Sequence, residues 1–177
     1  NAVKIGNEEV IYRHEKTFVH SPGVTLLISD KEDNAKIEEK IKKIKELQFP
    51  WVGVNLKANL LALHFASGDR NKFLALVKKV YDSTDVGIVL ISEDLDVLFA
   101  ARDICADRHP LIYPVTKENI DRAIPRIKAK LTPVGLRGGS IEELIPMTIK
   151  LKDAGIEELV LDPGSRNLLE AIRDQTF

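Results

Sequence analysis

The sequence has a single cysteine, Cys105, in 177 residues. One thiol excludes an intrachain disulfide, a CxxC redox pair and a four-cysteine cluster site. An excess of charge of one sign is also missing: 26 Lys plus Arg stand against 27 Asp plus Glu, a net charge of −1. Such a surface has no strong field to draw nucleic acid or an anionic membrane. Long apolar runs are absent too, since a stretch such as Val86–Ile91 is far too short to span a bilayer. Neither GxGxxG after a strand nor GxxxxGK(S/T) occurs, so the common phosphate cradles are lacking. His14, His20, His64 and His109 show no HExxH or HxH spacing, and no zinc site is expected. The chain opens at Asn1 without Met or a signal-peptide pattern. It is read as a processed or truncated piece of a cytoplasmic protein.

What is present is a globular composition. Apolar residues make up 44% and charged residues 30%, enough for a real core beneath a soluble surface. The length fits one domain. The opening predicts a β-hairpin: Ala2-Val3-Lys4-Ile5 and Glu9-Val10-Ile11-Tyr12 flank the turn pair Gly6-Asn7. Ser21-Pro22-Gly23 then leads into Val24–Ile28, an unalternating run expected of a strand buried on both faces.

From there one pattern repeats: an apolar strand, a residue able to cap, then an amphipathic helix. Ser29-Asp30 precedes the stripe Ile37, Ile41, Ile44 and Leu47. Leu60–Ala66 ends in Ser67-Gly68-Asp69, Val86–Ile91 in Ser92, Leu111–Val115 in Thr116 and Pro133–Leu136 near Ser140. Ser140-x-x-Glu143 is a capping box, and Gly155 is placed to close the helix that follows. Leu159-Val160-Leu161 leads through Asp162-Pro163-Gly164-Ser165 to a last helix from Arg166 to near Thr176. Strand starts near 24, 60, 86, 111, 133 and 159 give the cadence of repeated β/α units on a parallel sheet. Pro125 and Pro146 fall inside two helices and should kink them. A closed (β/α)8 barrel needs eight units and typically about 250 residues. Periodicity leaves an open doubly wound sheet and an incomplete barrel both standing.

In either architecture ligands gather at the carboxyl ends of the strands. The polar residues there include Asp30, Ser67, Asp69, Ser92, Glu93, Asn119, Arg137 and Asp162. Most read as helix caps or first-turn acids. Arg137 directly follows a strand and needs a partner, either an anion or, as the favoured reading, Asp162. His64 reads as a hydrogen-bonded core residue in mid-strand, and His109 as a loop residue. Cys105, at helical spacing with Leu95, Leu98 and Ala101, reads as packing rather than as a nucleophile. Lys16 and Lys57 read as surface charge. No catalytic residue and no metal ligand are assigned; Asp30, Asn119, Arg137 and Asp162 remain as candidate binding residues at the rim.

One segment is more specific. Val10-Ile-Tyr-Arg-His-Glu-Lys-Thr-Phe18, after Ile5-Gly6-Asn7, resembles a signature of the large (gamma) subunit of the corrinoid iron–sulfur protein, which works with CO dehydrogenase/acetyl-CoA synthase. Further matches run in order through Ser67-Gly68-Asp69 with Phe73, Leu90–Asp94, Pro110–Tyr113 and Thr116-x-Glu118-Asn119. Leu159-Val-Leu-Asp-Pro-Gly-Ser-Arg166 completes the series, so the resemblance covers essentially the whole chain.

The resemblance implies a partial (β/α)8 TIM-type barrel of about six β/α units, preceded by an amino-terminal β-hairpin. Residues 1–20 would be a hairpin and linker on the barrel floor, and residues 21–177 the truncated barrel. It also implies a [4Fe–4S] cluster held by an amino-terminal four-cysteine segment and a cobamide bound by a carboxyl-terminal domain, neither matched by residues of this chain. The implied partners are a small (delta) barrel subunit, acetyl-CoA synthase and a methyl-tetrahydropterin. The implied activity is that of a corrinoid-dependent methyltransferase component, with this segment a scaffold and docking domain. The rival readings are a free-standing barrel enzyme acting on a small molecule and an open-sheet interaction module without cofactors.

Overall fold

In the computed structural model, residues 3–5, 8–12, 15–18, 20, 22–52 and 54–174 are described. The chain opens with an antiparallel pair, β1 (Glu8–Tyr12) and β2 (Glu15–Phe18), in which Val10 lies opposite Lys16. This differs from the expected hairpin. The strand at 9–12 is present and its partner is 15–18; residues 3–5 form no strand, and Ala2 and the expected turn at Gly6-Asn7 lie outside the described residues.

The repeating part follows as β3 (Thr25–Ser29), α1 (Asn34–Glu46), β4 (Gln48–Trp51), β5 (Val54–Lys57), β6 (Leu60–His64), α2 (Arg70–Ser83), β7 (Gly87–Ile91) and α3 (Leu95–Ile104). It continues with β8 (Leu111–Val115), α4 (Ile120–Ala129), β9 (Val134–Arg137), α5 (Ile141–Asp153), β10 (Leu159–Asp162) and α6 (Leu168–Asp174). The small antiparallel pair β4–β5 was not foreseen. All other expected strands and helices are present.

Six strands form one parallel sheet in the order β3-β6-β7-β8-β9-β10. Among the described residues the order never reverses, so these six strands contain no topological switch point of the kind a doubly wound sheet has. Right-handed crossovers in such an order place every helix on the same face. Burial agrees: Ile28, Leu61, Leu63, Leu90, Ile112, Val134 and Leu136 are all fully buried with helix residues such as Phe73, Leu98 and Leu151. On the opposite face the edge strands are open, with Leu27 at 49% and Val160 at 40% exposure, while Ala62 inside the sheet is buried. The expectation that the first strand is buried on both faces is therefore corrected. Among the described residues, one face of the sheet carries the helices and the other carries none.

The caps follow the expected chemistry with local shifts. Asp33, not Ser29 or Asp30, caps α1, accepting from Lys36 N at 2.8 Å. Asp69 caps α2, and Asp94 rather than Ser92 caps α3. Asn119, rather than Thr116, stands at the N-cap of α4. Ser140 caps α5 as expected, and Glu143 reaches back to Gly139 N at 2.6 Å. Gly155 ends that helix in the left-handed region at φ +79°.

Two glycines position the amino-terminal segment. A Cβ on Gly87 would lie 2.6 Å from Leu60 Cδ2 and 3.0 Å from Val3 Cγ2. One on Gly23 would lie 2.7 Å from Leu60 Cδ1 and 3.1 Å from Ile5 Cγ2. Residues 3 and 5 thus pack against the amino-terminal ends of the sheet, where glycine leaves room for them.

Candidate functional site

The carboxyl ends of the strands collect the polar residues singled out from the sequence. Asp30 follows β3 and is almost completely buried. Its Oδ1 accepts from Ala66 N at 2.9 Å and Ser67 N at 2.8 Å, while Oδ2 accepts from Ser67 Oγ at 2.6 Å. The carboxylate clasps the loop after β6 to the loop after β3. Asn119 is engaged in the same way: its Oδ1 accepts from Thr116 N at 2.8 Å, and its Nδ2 donates to the Pro114 carbonyl at 3.4 Å.

Arg137 and Asp162 do not pair, which corrects the favoured reading of the sequence. They are neighbours in the β9–β10 register, on the open face of the sheet. Arg137 instead donates two bonds to Glu93, Nη1 to Oε1 at 2.8 Å and Nη2 to Oε2 at 3.0 Å. Asp162 accepts from Tyr113 Oη at 2.6 Å, Gly164 N at 3.0 Å, and Arg166 Nη1 and Nη2 at 3.0 and 2.9 Å. The physical reason is reach. The loop after β10 turns Arg166 back onto Asp162 four residues earlier, while Glu93 crosses from the β7 loop over β8 to Arg137.

Electrostatics follow these pairings. The paired Arg166 guanidinium holds the Asp162 carboxyl down at about 2, with the Tyr113 and Gly164 bonds adding to the effect against its partial burial. Tyr113 is raised, first by burial and then by donating to Asp162. Arg137 is raised by its bonds to Glu93. The Tyr113 ring also packs over β9, where a Cβ on Gly135 would lie 2.7 Å from Tyr113 Cδ2. The Arg137 guanidinium carbon stands 6.0 Å from the centre of that ring.

Tyr113 and Arg166 escaped the sequence-based list of candidates. A polar aromatic one position before Pro114 in a strand was the available signal for the first. The Asp162-Pro163-Gly164-Ser165-Arg166 turn was the signal for the second.

The remaining candidates separate from this rim. His64 is the last residue of β6, not a mid-strand residue, and is half-buried. His109 is a loop residue as expected, in the left-handed region and bonded to Glu158. Cys105 is fully buried with its Sγ 3.5 Å from the Ala101 carbonyl, and burial pushes its thiol up to about 12. That fits packing. Lys57 is exposed, whereas the side chain of Lys16 lies outside the described residues.

Among the described residues, no group of three or more His, Cys, Asp or Glu is placed to hold a metal ion. A [4Fe–4S] cluster needs four thiolates and this sequence has one cysteine, so these residues do not fit that cofactor. No described helix is long and apolar enough to cross a membrane.

Residues 1–177 match the family model CdhD, described as CO dehydrogenase/acetyl-CoA synthase delta subunit. The corrinoid/iron-sulfur protein large subunit of Moorella thermoacetica is 33% identical over 175 residues, covering 99% of this chain and 39% of that protein. The acetyl-CoA decarbonylase/synthase complex subunit gamma of Archaeoglobus fulgidus is 33% identical over 173 residues, covering 98% of this chain and 37% of that protein. The subunit gamma of Methanopyrus kandleri is 32% identical over 164 residues, covering 92% of this chain and 35% of that protein. The chain thus spans less than two fifths of the length of these relatives. It belongs to the CO dehydrogenase/acetyl-CoA synthase delta subunit family.

Proposed function

We propose that this chain is the barrel segment of the large (gamma) subunit of a cytoplasmic corrinoid iron–sulfur protein. The intact protein would carry a methyl group between a methyl-tetrahydropterin and acetyl-CoA synthase, paired with a small (delta) barrel subunit. Within it this segment serves as a fixed scaffold and docking domain. The names of the relatives support the methyl-carrying role, and their match over almost the whole chain supports the assignment to the large subunit. The one-sided placement of helices on a sequentially ordered parallel sheet supports a (β/α)8 barrel, of which six units lie here. Val3 and Ile5 against the amino-terminal strand ends support residues 1–20 as a floor segment beneath the barrel of 21–177.

The observation that carries the scaffold reading is the saturation of the rim. Asp30, Asn119, Arg137 and Asp162 are each hydrogen-bonded to other groups of this chain. Such groups hold loops in place. The cobamide and the cluster would be held by parts of the intact protein outside this chain.

The test is methyl transfer from methyl-tetrahydropterin to cobalt in the intact heterodimer carrying Arg137→Ala. A scaffold residue should change the rate by roughly tenfold or less, equivalent to about 1.4 kcal/mol. A loss of several orders of magnitude, with cobamide bound and the heterodimer intact, would place a catalytic residue in this domain and contradict the reading.

A further inference from the structure

Arg137 stands where a barrel presents ligand groups. It is the last residue of β9, on the sheet face that carries no helices, in register with Asp162. Asp162 is saturated by Tyr113, Gly164 and Arg166, so it does not restrain Arg137. The guanidinium fork is met by both oxygens of Glu93, the geometry in which arginine binds any carboxylate. Glu93 comes from a loop two strands away, and its side chain is 69% exposed. Among the described residues, its carboxylate accepts from Arg137 alone.

We propose that Arg137 is a seat for a small organic carboxylate, with Glu93 as its built-in competitor. The surroundings select the class of ligand. On one side lies the Tyr113 ring, spread over Gly135 with its centre 6.0 Å from the guanidinium carbon. A flat acid can lay its body along this ring while its carboxylate takes the fork. A hydrated inorganic phosphate has nothing to match it. A carboxylate–guanidinium pair whose carboxylate is this exposed holds its closed form by about fivefold, so an external acid can displace Glu93. This site goes beyond the scaffold reading: the Arg137–Glu93 pair is the closed form, and a bound acid would replace Glu93 in it.

The experiment is a saturation-transfer NMR titration of benzoate into the full-length protein at low salt. Glu93→Gln should tighten the benzoate Kd by up to about fivefold, because the competitor is gone. Arg137→Gln should abolish the signal. Inorganic phosphate at equal concentration and ionic strength should leave the benzoate signal in place. Glu93→Gln changes an exposed side chain, so its fold should persist and its arm stands alone. An unchanged or weaker Kd in Glu93→Gln, binding by Arg137→Gln as tight as in the parent, or displacement of benzoate by phosphate would overturn the proposal.

Discussion

Asp162 makes the rim sensitive to acid. Its folded value near 2 lies below the ordinary 3.8, chiefly through Arg166. A depressed carboxyl contributes stability that is fully present above its unfolded value and is lost as pH falls through the folded one. Acid unfolding of the parent should therefore steepen between pH 4 and 2, and Asp162→Asn should flatten that part of the curve. At neutral pH the same substitution should cost about 1 kcal/mol, discounted for the exposure of the Arg166 partner. Asp30 is a different case, because it is buried and satisfies two backbone N–H groups and the Ser67 hydroxyl. Asp30→Ala orphans all three and should lower stability by about 3 kcal/mol in urea unfolding. Cys105, pushed up to about 12 by burial and then by Asp107, should resist thiol reagents at pH 8 in the folded protein. It should react fully once the chain is unfolded. Fast labelling of the native chain would contradict its packing role.

At the scale of elements, the repeating strands were legible and the exceptions have local causes. Expected starts at 24, 60, 86, 111, 133 and 159 compare with observed starts at 25, 60, 87, 111, 134 and 159. Apolar runs flanked by turns and caps carry that signal directly. The β4–β5 pair was hidden because Pro50 interrupts its first strand and Val52 takes a positive φ of 44° where a Gly or Asn would have marked the turn. The rim pairings were hidden for another reason. Which acid meets Arg137 depends on the sheet order, which brings the β7 loop across β8, and spacing along the chain does not encode that. Close approach also sets element positions. A Cβ on Gly135 would stand 2.7 Å from Tyr113 Cδ2 and 3.2 Å from Tyr113 Cβ. Gly135→Ala should cost about 1–3 kcal/mol by overpacking. It should also move the Tyr113 phenol off Asp162, so the acid limb should flatten as it does for Asp162→Asn. A melt and acid limb both equal to those of the parent would contradict this packing.

At the scale of the molecule, among the described residues the sheet has two unpaired edges, β3 and β10, and one face without helices. Beside β10, an apolar groove of about 650 Å³ runs between α5 and α6, lined by Leu144, Ile145, Ile149 and Leu161. Unpaired edges beside apolar surface favour pairing with another chain. Sedimentation of the 177-residue chain alone should show concentration-dependent association. A concentration-independent monomer with a sharp two-state melt would indicate a complete open sheet. The central claim, that this sheet is six units of a barrel, is tested most directly by a crystal structure of the full-length protein read at those two edges. Two further parallel strands should join β10 to β3, closing an eight-stranded barrel that seals Leu27 and Val160 inside. Edges left apart, or a second layer of helices on the open face, would contradict it.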